Sequence, residues 1–268
     1  MKGLHHASAE RAGIARRLTE SAVSVRYPHQ FMRVLPAIAA LVLGLCGLST
    51  AASDSANRLT EAELADGWTL LFDGQSTRGW RSFKKTSFPQ KGWKVEDGCL
   101  RHVAGGGGGD IMTEATFGEF ELTFEWRLAA GANSGVKYFI TEERGGPIGH
   151  EYQLVTKDHP EAADLPTKHV TASFYDVLPT TAPVRVRSAP EFNQSRIVVR
   201  GQQVEHWLNG AKVLAYELGS DEVKAAISRS KFKDVRGFGT RLRGNILLQD
   251  HGGEVWFRNV KLREPRQD

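Results

Sequence analysis

The stretch Phe120-Glu121-Leu122-Thr123-Phe124-Glu125-Trp126-Arg127-Leu128 alternates apolar and polar residues without a break over nine positions. A period of two puts all five apolar side chains on one face of an extended strand and the four polar ones on the other. Such a strand buries one side and wets the other, as in an antiparallel sheet with a single packed face. Working outward, SGVKYFI (134–140), EYQLV (151–155) and SRIVV (195–199) read as further strands. The segment 196–216 reads as a three-strand meander bent at Gly201-Gln202 and at Asn209-Gly210, the latter the dipeptide best suited to a type I′ turn. NILLQDHGGEVWFRN (245–259) reads as two strands around a hairpin bend at 249–253. Two helices are expected. LTEAELADGW (59–68) has Thr60 as cap with Glu63 at capping-box spacing, and SDEVKAAISRSKFK (220–233) has Ser220 as cap. Many short strands with frequent Gly/Pro turns predict an all-β fold, an antiparallel β-sandwich with one or two short helices. A concave sheet rimmed by loops would then form a cleft.

The ends of the chain read differently. Val34–Leu48 is fifteen residues without a charge, preceded by Met32-Arg33 and followed by Ser49-Thr50-Ala51-Ala52. That is short for a membrane span and has the length of a signal-peptide core, with small residues for cleavage. The expectation is a leader over 1–52 with its start at Met32, a linker over 53–58, a single domain over 59–264 and a tail over 265–268. The mature protein would be exported to the periplasm, without a transmembrane segment. The bulky Leu45 before Cys46 weighs against a lipid anchor. Residues 1–52 hold six of the 35 Lys/Arg and two of the 31 Asp/Glu, which leaves 29 of each sign. The mature domain is near neutral, and nothing suggests nucleic acid as a partner. Cys99 is then the sole cysteine, so no internal disulfide forms.

Several chemistries are absent from the sequence. There is no Cys/His cluster, no His-Glu-x-x-His, no Gly-x-Ser-x-Gly elbow, and the glycine run at 105–109 lacks the Gly-Lys-Ser/Thr of a phosphate loop. Three polar clusters interrupt the strands. Glu151 and Gln153 share a strand face opposite Tyr152 and Leu154, either as an ordinary wet face or as a carboxylate and amide that hold a hydroxylated ligand. Asn133-Ser134-Gly135 reads as a turn, after which Lys137 falls opposite Val136 and Tyr138, as a surface lysine or as a cation that polarises a carbonyl. Gln249, Asp250 and His251 crowd one bend, where His251 can act as acid or base. Arg258 beyond it can pair with Glu151 or meet a substrate oxygen. In the meander, His206 is expected on the sheet surface and Trp207 in the core. Trp80, Trp93, Tyr138 and Tyr175 can offer flat faces to sugar rings, though core packing is the simpler reading of each.

Taken together, the segments 67–80, 93–100, 117–128, 133–139, 150–154, 206–213, 230–234 and 246–264 resemble the 3-keto-disaccharide hydrolase domain family, in the family's order. Most telling are Leu71-Phe72-Asp73-Gly74 near the start and Leu248-Gln249-Asp250-His251-Gly252 with Phe257-Arg258-Asn259 near the end. The resemblance implies a concanavalin/laminin-G-like jelly roll and a carbohydrate partner, a 3-keto glycoside. It also implies cleavage by proton abstraction at sugar carbon 2, elimination of the glycosidic oxygen, and hydration. The candidates are Glu151 or His251 as base or acid, Lys137 and Arg258 as enolate partners, and Asn133, Gln153, Tyr175 and Gln249 as holders of hydroxyls. The resemblance also admits a divalent metal ion, for which Glu151, Asp250 and His251 are the candidate ligands. The residues alone leave the cofactor open. A non-catalytic carbohydrate-binding jelly roll is the alternative, because fold does not decide function. The family's acidic pair after Glu-x-Gln is replaced here by Thr156-Lys157, leaving Asp158 as its only substitute.

Overall fold

The computed structural model describes residues 56–159 and 166–265. The expected leader, with Met32 and Cys46, lies outside the described residues. Thirteen strands and two helices follow in the order α1 (Glu61–Ala65), β1 (Thr69–Leu70), β2 (Trp80–Ser82), β3 (Trp93–Glu96), β4 (Cys99–His102), β5 (Ile111–Thr113), β6 (Phe120–Leu128), β7 (Asn133–Ile140), β8 (His150–Val155), β9 (Asn193–Arg200), β10 (Gln203–Leu208), β11 (Ala211–Glu217), α2 (Asp221–Ser228), β12 (Asn245–Leu248) and β13 (Val255–Arg263). They form two antiparallel sheets. The large one runs β11-β10-β9-β6-β13-β4-β3, with β1 added on β13, and the small one runs β2-β5-β12-β7-β8. This is the antiparallel sandwich that the strand pattern predicts, in the jelly-roll form that the family resemblance implies.

The inner face of β6 supplies Phe120, Leu122, Phe124, Trp126 and Leu128, all at most 3% exposed. They pack in one cluster with Val136, Tyr138, Tyr152 and Leu154 of the small sheet. Burying each such side chain contributes about 1.5–3 kcal/mol relative to leaving it in water. The local signals hold as well. Thr60 and Glu63 form the reciprocal capping box of α1, and the Ser220 hydroxyl accepts from the Val223 N–H at the start of α2. Asn209 and Gly210 both take positive φ, 49° and 85°, between β10 and β11, as a type I′ turn requires.

Four sequence expectations are corrected. First, 249–253 is not a hairpin bend. β12 pairs with β5 and β7 in the small sheet, while β13 pairs with β1, β4 and β6 in the large one. The segment is therefore an arch between the two sheets. Second, Asn133–Gly135 belongs to β7, and the turn falls just before it, where Ala132 N–H bonds the Ala129 carbonyl. Third, α2 stops at Ser228, where the Arg229 and Ser230 amides tighten onto the Ala226 and Ile227 carbonyls and side chains take over the two amides after them. The Ser230 hydroxyl accepts from Phe232 N–H and Asp176 accepts from Lys231 N–H at 2.7 Å. Fourth, His206 and Trp207 exchange places. His206 shares the buried face of β10 with Val204 and Leu208, whereas Trp207 lies outside under the Arg196 guanidinium, 4.2 Å from its ring centre.

His206 is tolerated in the core because every polar atom around it is satisfied. The Gly239 N–H donates to His150 Nε2, so the His150 proton sits on Nδ1 and points to the Tyr216 hydroxyl. The Tyr216 hydroxyl meets that of Tyr138 at 2.6 Å, and Tyr138 lies 2.9 Å from His206 Nε2. His206 Nδ1 then donates to the Ala172 carbonyl. Burial keeps both imidazoles neutral, His206 at about 4 and His150 well below its ordinary value.

Candidate active site

The outer face of the small sheet carries a cavity of about 370 Å³. Its floor is set by the register of β7 on β8. Lys137 stands opposite Glu151, Gly135 opposite Gln153, and Asn133 opposite Val155. Alternation sends Tyr138, Tyr152 and Leu154 into the core, so Asn133, Lys137, Glu151 and Gln153 are left facing the cavity. Gly135 between them has a specific use. A Cβ there would lie 2.5 Å from Glu151 Oε1, so the missing side chain is the space in which the carboxylate rests.

The walls come from three loops. Pro147, Ile148 and Gly149 precede β8, Lys231, Phe232 and Val235 follow α2, and Gln249 and His251 come from the inter-sheet arch. Tyr175 completes the lining, drawn to the edge of β8 by its N–H on the Glu151 carbonyl at 3.1 Å. Asp176 next to it accepts from Lys168, His169 and the Lys231 N–H. Burial alone would raise the Asp176 pKa, but these bonds hold it down to about 2. That anchor fixes the loop carrying Lys231, whose ammonium sits 4.3 Å from the Tyr175 ring centre.

The electrostatics of the floor are unusual. Lys137 Nζ lies 3.9 Å from Glu151 Oε2 and 3.8 Å from Asp110 Oδ2, close enough to attract and too far for a hydrogen bond. Burial pushes the Glu151 carboxyl above its ordinary value, with Lys137 and Lys231 pulling back and Asp110 adding to the rise. Asp110 is raised by burial too, against Lys137 and the Asp250 N–H. Burial lowers Lys231. A carboxylate kept from full pairing and shifted toward neutral pH is equipped to take up a proton from carbon. Nearby amides supply the fixed polar contacts. Gln153 Nε2 donates to Asn133 Oδ1 at 2.9 Å, and the buried Gln249 Oε1 has no hydrogen-bond partner among the described residues.

Residues 67–263 match the model of the 3-keto-alpha-glucoside-1,2-lyase-like domain. The chain belongs to that family. A 3-keto-disaccharide hydrolase of Bacteroides thetaiotaomicron is 34% identical over 230 residues, covering 74% of this chain and 79% of that protein. A solved structure from Parabacteroides distasonis ATCC 8503, provisionally named a glycosyl hydrolase, is 31% identical with a TM-score of 0.72, covering 79% of this chain and all of that one. A second from the same organism, at 24% identity and a TM-score of 0.59, shares the fold. As a member of the 3-keto-α-glucoside-1,2-lyase-like family, the protein is a glycoside hydrolase or lyase-type enzyme.

Of the residues singled out from sequence, Asn133, Lys137, Glu151, Gln153, Tyr175, Gln249 and His251 all line this one cavity. Arg258 does not. It stands on the outer face of the other sheet, bonded to Glu125 at 2.7 Å and stacked 3.9 Å from the Phe192 ring centre, because its position on β13 belongs to the large sheet. The metal set is not assembled either. Asp250 is turned to His102 at 2.9 Å, away from Glu151, and among the described residues no three His, Cys, Asp or Glu side chains gather as ligands. The donors do not fit an ion. Asp158, exposed past the end of β8, lies outside this cavity. Asp110 and Lys231 escaped the sequence reading. The only local sign of Asp110 is an acid ending a run of five glycines just before a strand, and Lys231 falls within 220–233, which reads as a helix.

Proposed function

We propose that the protein is an exported enzyme that cleaves the glycosidic bond of 3-keto sugars, with Glu151 as the base. The carrying observation is the buried Glu151 carboxylate, raised by burial and 3.9 Å from the Lys137 ammonium. The named relative from B. thetaiotaomicron supports the 3-keto substrate. A keto group at carbon 3 acidifies the carbon-2 hydrogen. Glu151 takes that proton and the electron pair forms an enolate, whose oxygen meets the Lys137 ammonium. The enolate collapses to the ketone, a carbon 1–carbon 2 double bond forms, and the carbon 1–oxygen bond breaks. His251, exposed at the rim, gives the departing oxygen its proton. Water adds to carbon 1, carbon 2 recovers a proton, and the free 3-keto sugar results. Release before hydration would make the same site a lyase. Asn133, Gln153, Tyr175 and Gln249 hold the ring hydroxyls.

Export rests on the uncharged fifteen-residue stretch after Met32-Arg33 and on the small residues that follow it. Incubation with a 3-keto glucoside and with the unoxidised glucoside tests the activity. Turnover of the keto sugar alone is expected, and equal turnover of both would remove the reason for carbon-2 chemistry. N-terminal sequencing of periplasmic protein should start near residues 51–53.

A further inference from the structure

We propose that His102, which does not touch the cavity, is a positioning residue for the reaction, clasping the inter-sheet arch at two points so that Gln249 and His251 enter the cavity at fixed places. The proposal rests on the reading of that cavity as the active site. His102 ends β4 in the large sheet and is fully buried. Its Nδ1 lies 2.8 Å from the Gly253 carbonyl, which can only accept, so Nδ1 carries a proton. Its Nε2 lies 2.9 Å from Asp250 Oδ1, at ion-pair distance though not aligned as a hydrogen bond, and has no other partner. The two contacts tie one buried ring of the large sheet to both sides of the arch.

Asp250 passes the constraint on. Its carboxylate accepts from the Gly109 and Gly252 N–H groups, and its own N–H donates to Asp110 Oδ1 at 2.9 Å. On the near side, Gln249 N–H bonds the Gly135 carbonyl and Ser134 Oγ bonds the Gln249 carbonyl. With Asp250 drawn inward, its two neighbours line the cavity. The arch therefore holds an amide and an imidazole toward substrate by anchoring the acid between them.

The test uses the full chain and compares backgrounds. Asp250→Asn and His102→Gln are each made in the wild type and in a Gln249→Ala/His251→Ala variant, and kcat and KM are measured on a 3-keto glucoside. A misplacement of this kind is expected to lower kcat by about 10- to 100-fold in the wild type, with KM moving far less. In the background lacking both arch side chains, the further loss should be under about threefold, since the residues acted through are gone. Equal losses in both backgrounds would overturn the proposal, as would no loss in the wild type. A second readout needs no turnover. The His251 imidazole resonances should move in Asp250→Asn while the spectrum stays dispersed, and unmoved resonances would also overturn the clasp. A wild type inactive on the keto sugar, with those resonances moving as expected, would count against the proposed function and for the clasp.

Discussion

The outer faces of the two sheets use the same residue types to opposite effect. On the large sheet, carboxylates and guanidiniums are matched closely. Glu121 takes Arg263 at 2.7 Å and Arg196 at 3.0 Å, Glu125 takes Arg258 at 2.7 Å, and Arg101 joins Glu96 to Glu254. Rings lie between the cations. Trp256 and Phe192 flank the Arg127 guanidinium at 4.1 and 4.9 Å, and Phe192 continues to Arg258. Bonds from Lys94 and Arg101 hold Glu96 below its ordinary pKa. On the small sheet, Lys137 hangs between the buried Glu151 carboxylate and the partly buried Asp110 carboxylate without bonding either, and both are raised. Completed ion pairs stabilise a surface and leave no group ready for chemistry. The incomplete set strains stability and is where a proton can move.

The contrast can be broken most sharply at Glu151. Glu151→Gln should lower kcat by about 10²- to 10⁴-fold, the usual worth of a positioned base. The same change should raise Tm near pH 7. The folded-state pKa of Glu151 lies above its unfolded value of about 4.3, so its ionised form opposes folding once pH exceeds that range. The gain from Gln should shrink to nothing as pH falls below the unfolded value, which thermal melts across pH will show. Wild-type activity should fall on the acid side at a pH above the ordinary glutamate range, because the base must be ionised.

Lys137→Met removes the enolate's partner and should cost about 10²- to 10³-fold in kcat, measured against the same substrate. Gly135→Ala removes no charged group, but its Cβ would meet Glu151 Oε1 at 2.5 Å. Displacing the carboxylate should lower kcat about tenfold or more. Arg258→Ala sharpens the comparison from the other side. It removes one ion pair and one ring contact on the large sheet, and should cost about 1–2 kcal/mol of stability in a denaturant melt while leaving kcat unchanged.

Much of this was legible in short-range pattern. The alternation of 120–128 is enough to specify a sheet with one buried face, and Glu151 with Gln153 opposite Tyr152 and Leu154 is the same rule applied to the site. Caps at Thr60 and Ser220 and the turn at Asn209-Gly210 are local chemistry, readable without the rest of the chain. What failed depended on strand partners. The sequence around 249–253 looks the same whether its two strands pair with each other or with different sheets, and the answer decides where Arg258 stands. The polarity of His206 points to the surface, although Val204 and Leu208 at every second position mark its face as buried. Asp110 reaches Lys137 only because β5 and β7 both flank β12, a pairing of residues more than a hundred positions apart.

The central claim is that Glu151 removes the hydrogen from carbon 2. A 3-keto glucoside carrying deuterium at carbon 2 tests it most directly, with product isotope content followed by mass spectrometry in ordinary water. Wild-type product should have exchanged its deuterium for solvent hydrogen, and the Glu151→Gln protein should release none of the label. Cleavage that keeps the deuterium at carbon 2, or exchange at the wild-type rate by Glu151→Gln, would contradict the account.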